Sequence, residues 1–403
     1  MDDRPLIRAK SGTNLGGASA HNRRIMIDAL RVNGALSRAD LARATGLTPQ
    51  TVSNIIEELA GEGLVRSQAS VRKGRGQPAT PYQLVPEGAF AIGLQIDRHV
   101  TRTVIVNLVG DVLVQIEAIL PPGGPETGVV VVLDLVARVR TMLSEKVSGA
   151  EERLVGLGIA MPGPFGINTL YDDPWMMTAW QSFPLVERIA EGTGLEVALQ
   201  NDASAAATAE RLLGAAHGLD HAICIYFGYG LGTGLILNGE LYGGAYSNAG
   251  EIGMMLTLVP GDGADVEPLE HYASMAALCK LLELDPSAPD LFAMVTDAVL
   301  LGGSKLEQWM DDVAERLRRA VQMLELVFDP QTVILCGGAP RVLIDKLVEK
   351  IEPLLPSIAE RASRSQPRLQ AGLADPWSAA LGAAAEPIAR AFDPRFSAIL
   401  KNA

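Results

Sequence analysis

The stretch AIGLQIDRHVTRTVIVNLVG, residues 91–110, has the strand, short turn and strand plan that proteins use to cradle a phosphate. A cradle of that kind needs glycines, so that bare N–H groups can approach the anion, and a carboxylate nearby to handle magnesium. Here the first strand closes on Gln95, and the turn holds Asp97, Arg98 and His99. The Asp97 carboxylate would repel phosphate, and the side chains would keep the backbone at a distance. Much later AICIYFGYGLGTGLILNGELYGG repeats the plan with Gly228, Gly230, Gly232 and Gly234. These glycines suit either a bound phosphate or tight turning and close packing.

A second kind of chemistry lies near residue 50. Val52, Ile55, Ile56 and Leu59 follow the i, i+3, i+4, i+7 spacing of a helix face turned to a core. Thr48 is its N-cap and Pro49 its first helical residue, where a missing N–H costs nothing. Gln50, Thr51, Ser53 and Asn54 are left outward, short polar side chains of the kind that reach base edges in the major groove. The elements that must position them come first in the chain. A helix over 22–33 is ended by Gly34, and a second opens at Ser37 with Asp40 three residues on, a capping-box variant, and stops at Gly46. After Leu64 and Val65, RSQASVRKGRGQPATPYQL reads as a two-stranded wing whose tip offers Arg72, Lys73 and Arg75 to phosphates, with Arg75 suited to a narrow minor groove. A linker with a chance positive cluster is the alternative for that stretch, and a small helical bundle with a solvated face is the alternative for the whole head.

Charge supports the DNA reading. Residues 1–85 carry 12 Lys and Arg against 7 Asp and Glu, whereas the rest carries 22 against 40, so a basic head precedes an acidic body. At 403 residues two or three domains are expected, and 48% apolar with 20% charged residues is a well-packed composition. The start MDDRPLIRAK has no apolar leader, and no run reaches the roughly 18 apolar residues of a membrane span, so a cytoplasmic protein with no membrane partner is expected. Cys224, Cys279 and Cys336 lie far apart in apolar stretches and read as buried hydrophobes.

In the body, residues 88–120 hold three β-rich runs spaced as an antiparallel meander. A helix follows through VVVVLDLVARVRTML, then the strand LVGLGIA and the turn MPGPFG. With the later strand, turn and strand, this predicts a duplicated α/β fold with a cleft between two lobes. The run LEQWMDDVAERLRRAVQMLELVFDP reads as a long amphipathic helix whose stripe belongs to the core, leading into the strand TVILC.

A winged helix-turn-helix followed in order by LGIAMPGP, QNDASAAATAE, FGYGLGTGLILNGELYGGAYSNAGEIG, LEHYAS and LCGGAP resembles the ROK family of sugar kinases and sugar-responsive repressors. The resemblance covers nearly the whole chain after about residue 20. It implies an actin-like, hexokinase-type (ribonuclease H-like) ATPase fold behind the DNA-binding head. It also implies that Asn201 and Asp202 hold sugar hydroxyls, Asp202 standing at the kinases' catalytic base, and that Glu251 and Glu270 are further sugar ligands. Carboxylates and an amide suit a polyol chemically. Read without the resemblance, Asp202 could be the N-cap of the helix ASAAATAERLLGA, and Glu251 and Glu270 solvated acids. Trp180 resembles an aromatic near the family's sugar pocket, or is a buried core residue.

The departures from the family pattern matter as much. The kinases' Asp and Gly-Gly-Thr turn are replaced by Gln95 and by Asp97, Arg98 and His99, which speaks against ATP and against kinase activity, although Gly337-Gly338 resembles the adenosine-side loop. Met254 stands where the family has a histidine, and GDGADVEPLE lacks the cysteines of its zinc loop, so no zinc and no other cofactor is expected. A thioether donates no hydrogen bond, so the preferred ligand would lack a hydroxyl there or carry an apolar substituent.

The expected organisation is a tail over 1–18, the head over 19–85, a first lobe over 86–200 completed by a C-terminal helix within 376–403, and a second lobe over 201–375. The expected function is a sugar-responsive transcriptional regulator, a repressor that leaves its operator DNA when a sugar or polyol binds, working as a homodimer or homotetramer. Two other classes fit parts of the sequence: an active sugar kinase with a regulatory head, and a ligand-blind scaffold that binds a partner protein.

Overall fold

The computed structural model describes residues 15–69, 80–121, 123–166, 177–258 and 266–392, and the chain divides into two compact units at Gly88. The first unit is α1 (Leu15–Asn33), β1 (Leu36–Ser37), α2 (Arg38–Thr45), α3 (Pro49–Gly61), β2 (Val65–Ser67) and β3 (Pro81–Leu84). Helix α1 begins seven residues before residue 22; residues 19–21 of that extension are exposed and add nothing to the apolar periodicity that reveals a helix. The capping box forms: Ser37 Oγ accepts from Asp40 N at 3.2 Å while Asp40 Oδ2 accepts from Ser37 N at 3.3 Å. Gly46 closes α2 at φ 69°, a left-handed conformation that glycine adopts without strain. The strands make an antiparallel sheet in the order β1-β3-β2, a wing behind three helices packed on Met26, Leu30, Leu41, Val52, Ile56 and Leu59.

The second unit holds two five-stranded sheets of one plan. In the first, β4 (Phe90–Ile96), β5 (Val100–Asn107) and β6 (Val112–Ile119) form the antiparallel meander. After α4 (Pro125–Lys146), β7 (Leu154–Met161) joins β4 in parallel; after α5 (Thr178–Gln181) and α6 (Leu185–Thr193), β8 (Val197–Asn201) joins β7. The order is β6-β5-β4-β7-β8. Helix α7 (Asp202–Leu213) then leads to the second sheet, β11-β10-β9-β14-β15, from β9 (Ala222–Phe227), β10 (Leu231–Leu237), β11 (Glu240–Leu241), β14 (Thr332–Gly337) and β15 (Leu369–Ala374). A separate hairpin of β12 (Leu256–Leu258) and β13 (Val266–Pro268) precedes α8 (Met275–Leu282), α9 (Leu291–Leu301) and α10 (Ser304–Phe328). Helix α11 (Arg341–Ile351) lies between β14 and β15 in sequence, and α12 (Ser378–Phe392) ends the described chain. Three antiparallel strands followed by two parallel ones, twice, is the expected duplication.

Side-chain size decides how the lobes are built. One face of β4, with Ile92, Leu94 and Ile96, packs on α4 and α6 in an aliphatic core, at about 1.5–3 kcal/mol for each large side chain fully buried. The other face carries glycine because helices come too close for anything else. A Cβ at Gly93 would lie 2.0 Å from Ala380 O, one at Gly158 1.9 Å from Ala383 O, and one at Gly382 1.7 Å from Ala205 O. The alanine runs of α7 and α12 are the other half of this fit. The stripe Leu306, Met310, Val313, Leu317, Val321 and Leu324 of α10 is buried in the second core. Among the described residues no helix is long and apolar enough to cross a membrane.

Candidate functional site

Strand β8 ends and α7 begins at Asn201-Asp202. Asn201 is the N-cap: its Oδ1 accepts from Ser204 N at 2.7 Å, satisfying one of the donors a helix start leaves over. Asp202 is thus the first helical residue, not the cap that a bare reading of the sequence allows, and its Oδ1 accepts from Ala203 N at 2.9 Å. Around this helix start Asn201, Asp202, Glu251, Met254 and Glu270 line one small pocket, with Arg98 and Tyr226 beside them. Glu251 and Glu270 are half-buried rather than solvated.

Each acid is held from behind. The loop before Glu251 is strapped to β10, where Thr233 N and Oγ1 both donate to Gly250 O, at 2.7 and 2.8 Å. Leu231 N donates to Glu270 Oε2 at 3.3 Å. Gly163 and Gly230 leave room for the two carboxylates: a Cβ at the first would stand 2.7 Å from Glu251 Oε1, at the second 2.9 Å from Glu270 Oε2. Burial, and then repulsion from Asp97 and Glu251, push the Asp202 carboxyl up to about 7, against the opposing pull of Arg98. Near neutral pH it therefore serves as donor or acceptor, which suits a hydroxyl.

The two turns facing each other across the cleft differ. In the first, Asp97 Oδ1 accepts from Arg98 N at 2.7 Å and pairs with Arg98 Nη1 at 3.2 Å. The Arg98 guanidinium lies over the Tyr229 ring at 5.1 Å, and His99 meets the same ring edge-on at 5.3 Å with its Nε2 3.4 Å from the hydroxyl. Side chains of the first turn thus reach across to a tyrosine of the second. In the second turn and the first half of β10 each glycine answers to a protein neighbour. A Cβ at Gly228 would stand 2.4 Å from the Tyr226 ring, at Gly230 beside Glu270, at Gly232 3.0 Å from Ala203 Cβ, and at Gly234 2.3 Å from Ala207 Cβ. Close packing accounts for all four.

On the head, Thr48 Oγ1 accepts from Thr51 N at 3.2 Å and Val52, Ile55, Ile56 and Leu59 are buried. Gln50 and Asn54 are exposed and joined, Gln50 Nε2 donating to Asn54 Oδ1 at 2.8 Å; Thr51 and Ser53 are half-buried between them. Arg72, Lys73 and Arg75 fall in residues 70–79, outside the described residues, as does the 259–265 part of the cysteine-free loop.

Trp180 lies away from this pocket as the described residues form it. It is 8% exposed in the first lobe's core, its ring 2.4 Å from where a Gly128 Cβ would stand and edge-on to Phe183, and it is not among the pocket's lining residues. Sequence reasoning missed Tyr226 as a lining residue and saw Arg98 only as an obstacle to phosphate. Their placement depends on β4–β5, β9 and α7 converging, and no local pattern carries that.

Comparison with known proteins gives the same two-part division. The ROK family model matches residues 92–387, and the MarR family model matches residues 24–76. A putative xylose repressor of Caldicellulosiruptor sp. is 24% identical over 355 residues, 83% of this chain and 87% of that protein. The xylose repressor of Bacillus subtilis is 26% identical over 268 residues, 65% of this chain and 68% of its own length. The crystal structure of a ROK family transcriptional regulator, a homolog of the E. coli MLC protein, aligns with a TM-score of 0.68 at 21% identity, over 94% of this chain and 97% of that one. That structural likeness extends through head and body.

Proposed function

Because the chain belongs to the ROK family and carries a winged helix-turn-helix ahead of the family's domain, we propose that it is a sugar-responsive transcriptional regulator, a repressor, rather than a kinase. The observation that carries the reading is the pairing of a polar pocket, built from Asn201, Asp202, Glu251 and Glu270, with a first turn occupied by Asp97, Arg98 and His99. The pocket suits a sugar or polyol, whose hydroxyls give and take hydrogen bonds in a desolvated cleft. The first turn gives a polyphosphate neither glycine backbone nor uncompensated positive charge. Relatives that are xylose repressors support the same reading. The protein works without ATP or zinc.

Gln50, Thr51, Ser53 and Asn54 read base edges, and Arg72, Lys73 and Arg75 neutralise phosphates. As a dimer, two copies would set their α3 helices roughly 34 Å apart on a palindromic operator. Ligand releases the operator only to the extent that it binds one arrangement of the protein more tightly than the other. The test is fluorescence anisotropy of a labelled operator fragment, selected from the chain's own upstream DNA, titrated with a sugar panel. One sugar should release the DNA from the wild type and fail to do so with Asp202→Ala. Release by no sugar, or equal release from the variant, would overturn the proposal.

A further inference from the structure

The loop that follows β7 covers the polar pocket. Pro162, Gly163 and Pro164 line it, and a Cβ at Gly163 would lie 2.7 Å from Glu251 Oε1 and 3.6 Å from Asn201 Cβ. The loop is rooted in the first lobe, because the next residue, Phe165, is 9% exposed and belongs to that lobe's aliphatic core. Asn248 of the second lobe grips the same residue. Phe165 N donates to Asn248 Oδ1 at 3.0 Å, and Asn248 Nδ2 donates to Phe165 O at 2.9 Å. A primary amide carries one acceptor and one donor along its edge, so it closes both bonds as the peptide of a neighbouring strand would.

Asn248 is presented by a loop with little freedom. Ala249 N donates to Gly243 O at 3.0 Å, and Gly250 O is tied to Thr233. Ser247 has φ 57°, a left-handed conformation that is unfavourable for a residue with a Cβ and persists only where its surroundings impose it, as at ligand clamps and switches. Glu251 lies three residues after Asn248, so one rigid loop carries both a pocket carboxylate and the grip on the opposite lobe.

With this grip made, the pocket measures about 40 Å³. That is room for about one water and well below the roughly 300 Å³ of a small-molecule site. A wall has to move before a sugar ring can enter, and the wall made by Pro162–Pro164 is the one that Asn248 ties across the cleft. We propose that Asn248 is an autoinhibitory clasp: by holding the loop down it keeps the pocket in an arrangement that excludes sugar, and the strength of its two bonds sets how much sugar the protein needs to respond. The clasp rests on the reading of the pocket as a sugar or polyol site.

The experiment measures affinity and lobe separation on the full chain. D-Glucose, D-xylose and D-sorbitol are titrated calorimetrically into wild type, Asn248→Ala and Asn248→Asp, the last setting a carboxylate against Phe165 O. Spin labels on Ser144→Cys of α4 and Asp297→Cys of α9, both exposed positions while the native cysteines are buried, report the distance between the lobes. Without sugar, both Asn248 variants should lengthen and broaden that distance. At least one of the sugars should bind both variants about tenfold more tightly than wild type, since the shut population no longer competes. Adding Asp202→Ala to Asn248→Ala should abolish the gain, which places the binding in this pocket. A damaged fold loses affinity, so a gain separates a clasp from structural support. Unchanged or lower affinity in both variants would overturn the proposal, as would unchanged distances. Lengthened distances with no binding of any of the three sugars would overturn the sugar reading of the pocket and leave the clasp standing.

Discussion

The turns after β4 and β9 descend from one strand, turn and strand plan, yet they have been filled in opposite ways. The β4–β5 turn spends Asp97, Arg98 and His99 on bridging to Tyr229, whereas the β9–β10 turn spends glycines on admitting Tyr226 and Glu270, and β10 itself spends two more on the alanines of α7. A glycine-rich turn is usually read as a phosphate signal. Here its glycines are accounted for by the packing behind them, and the turn without glycines is the one that reaches across the cleft. What distinguishes a binding turn is the room it leaves in front of it, which depends on the partner across the cleft.

The largest effect is expected at Asp202, which both turns approach. Asp202→Ala removes a hydrogen-bonding group buried in the polar pocket and should weaken sugar binding by about 2–3 kcal/mol, on the order of 30- to 150-fold, measured by calorimetry. On the glycine side, Gly230→Ala places a methyl against Glu270 Oε2. Sugar affinity should fall about tenfold, with near-normal folding, since one carboxylate must shift. A larger loss of stability than of affinity would show Glu270 to be structural.

The Asp202 carboxyl sits near 7 in the folded chain, against roughly 4 for an ordinary unfolded aspartate. Between these values the folded state holds a proton that the unfolded state has lost. The stability this group contributes is fully present below about pH 4 and is lost as the pH rises through about 7. Asp202→Asn, which cannot ionise, should therefore melt increasingly above wild type as the pH is raised from 4.5 to 7.5. A melting difference that stays flat over that range would mean Asp202 is not held protonated.

The head supplies smaller effects. Asn54→Ala should change base preference at one operator position by about 1–3 kcal/mol, whereas Arg75→Ala should weaken binding evenly across sequences and lower the salt slope by about 1. Selection on a randomised operator library separates the two.

Much of this was legible in the sequence because it is local and periodic. The β4–β6 meander, α3 with its Thr48 cap and the Ser37–Asp40 capping box each announce themselves within one continuous stretch of about thirty residues or fewer. The start of α1 was hidden, since exposed residues leave no periodic trace. Trp180 was ambiguous in the other direction: an aromatic near a motif suits a ligand contact or a core equally, and only the structure shows its ring packed on Gly128. Asn201 and Asp202 were singled out through a family resemblance, and the division of labour between them, cap and first helical residue, appears only in the hydrogen bonds. Arg98 and Asp202 are over a hundred residues apart, so their electrostatic coupling was beyond any reading of spacing.

The central claim is that the body responds to a sugar without transferring phosphate to it. A coupled ATP-turnover assay over a sugar panel, run beside calorimetry on the same samples, tests it most directly. A sugar should bind the wild type and not Asp202→Ala, while Mg-ATP gives no turnover with any sugar. Sugar-dependent turnover that disappears in Asp202→Asn would contradict it.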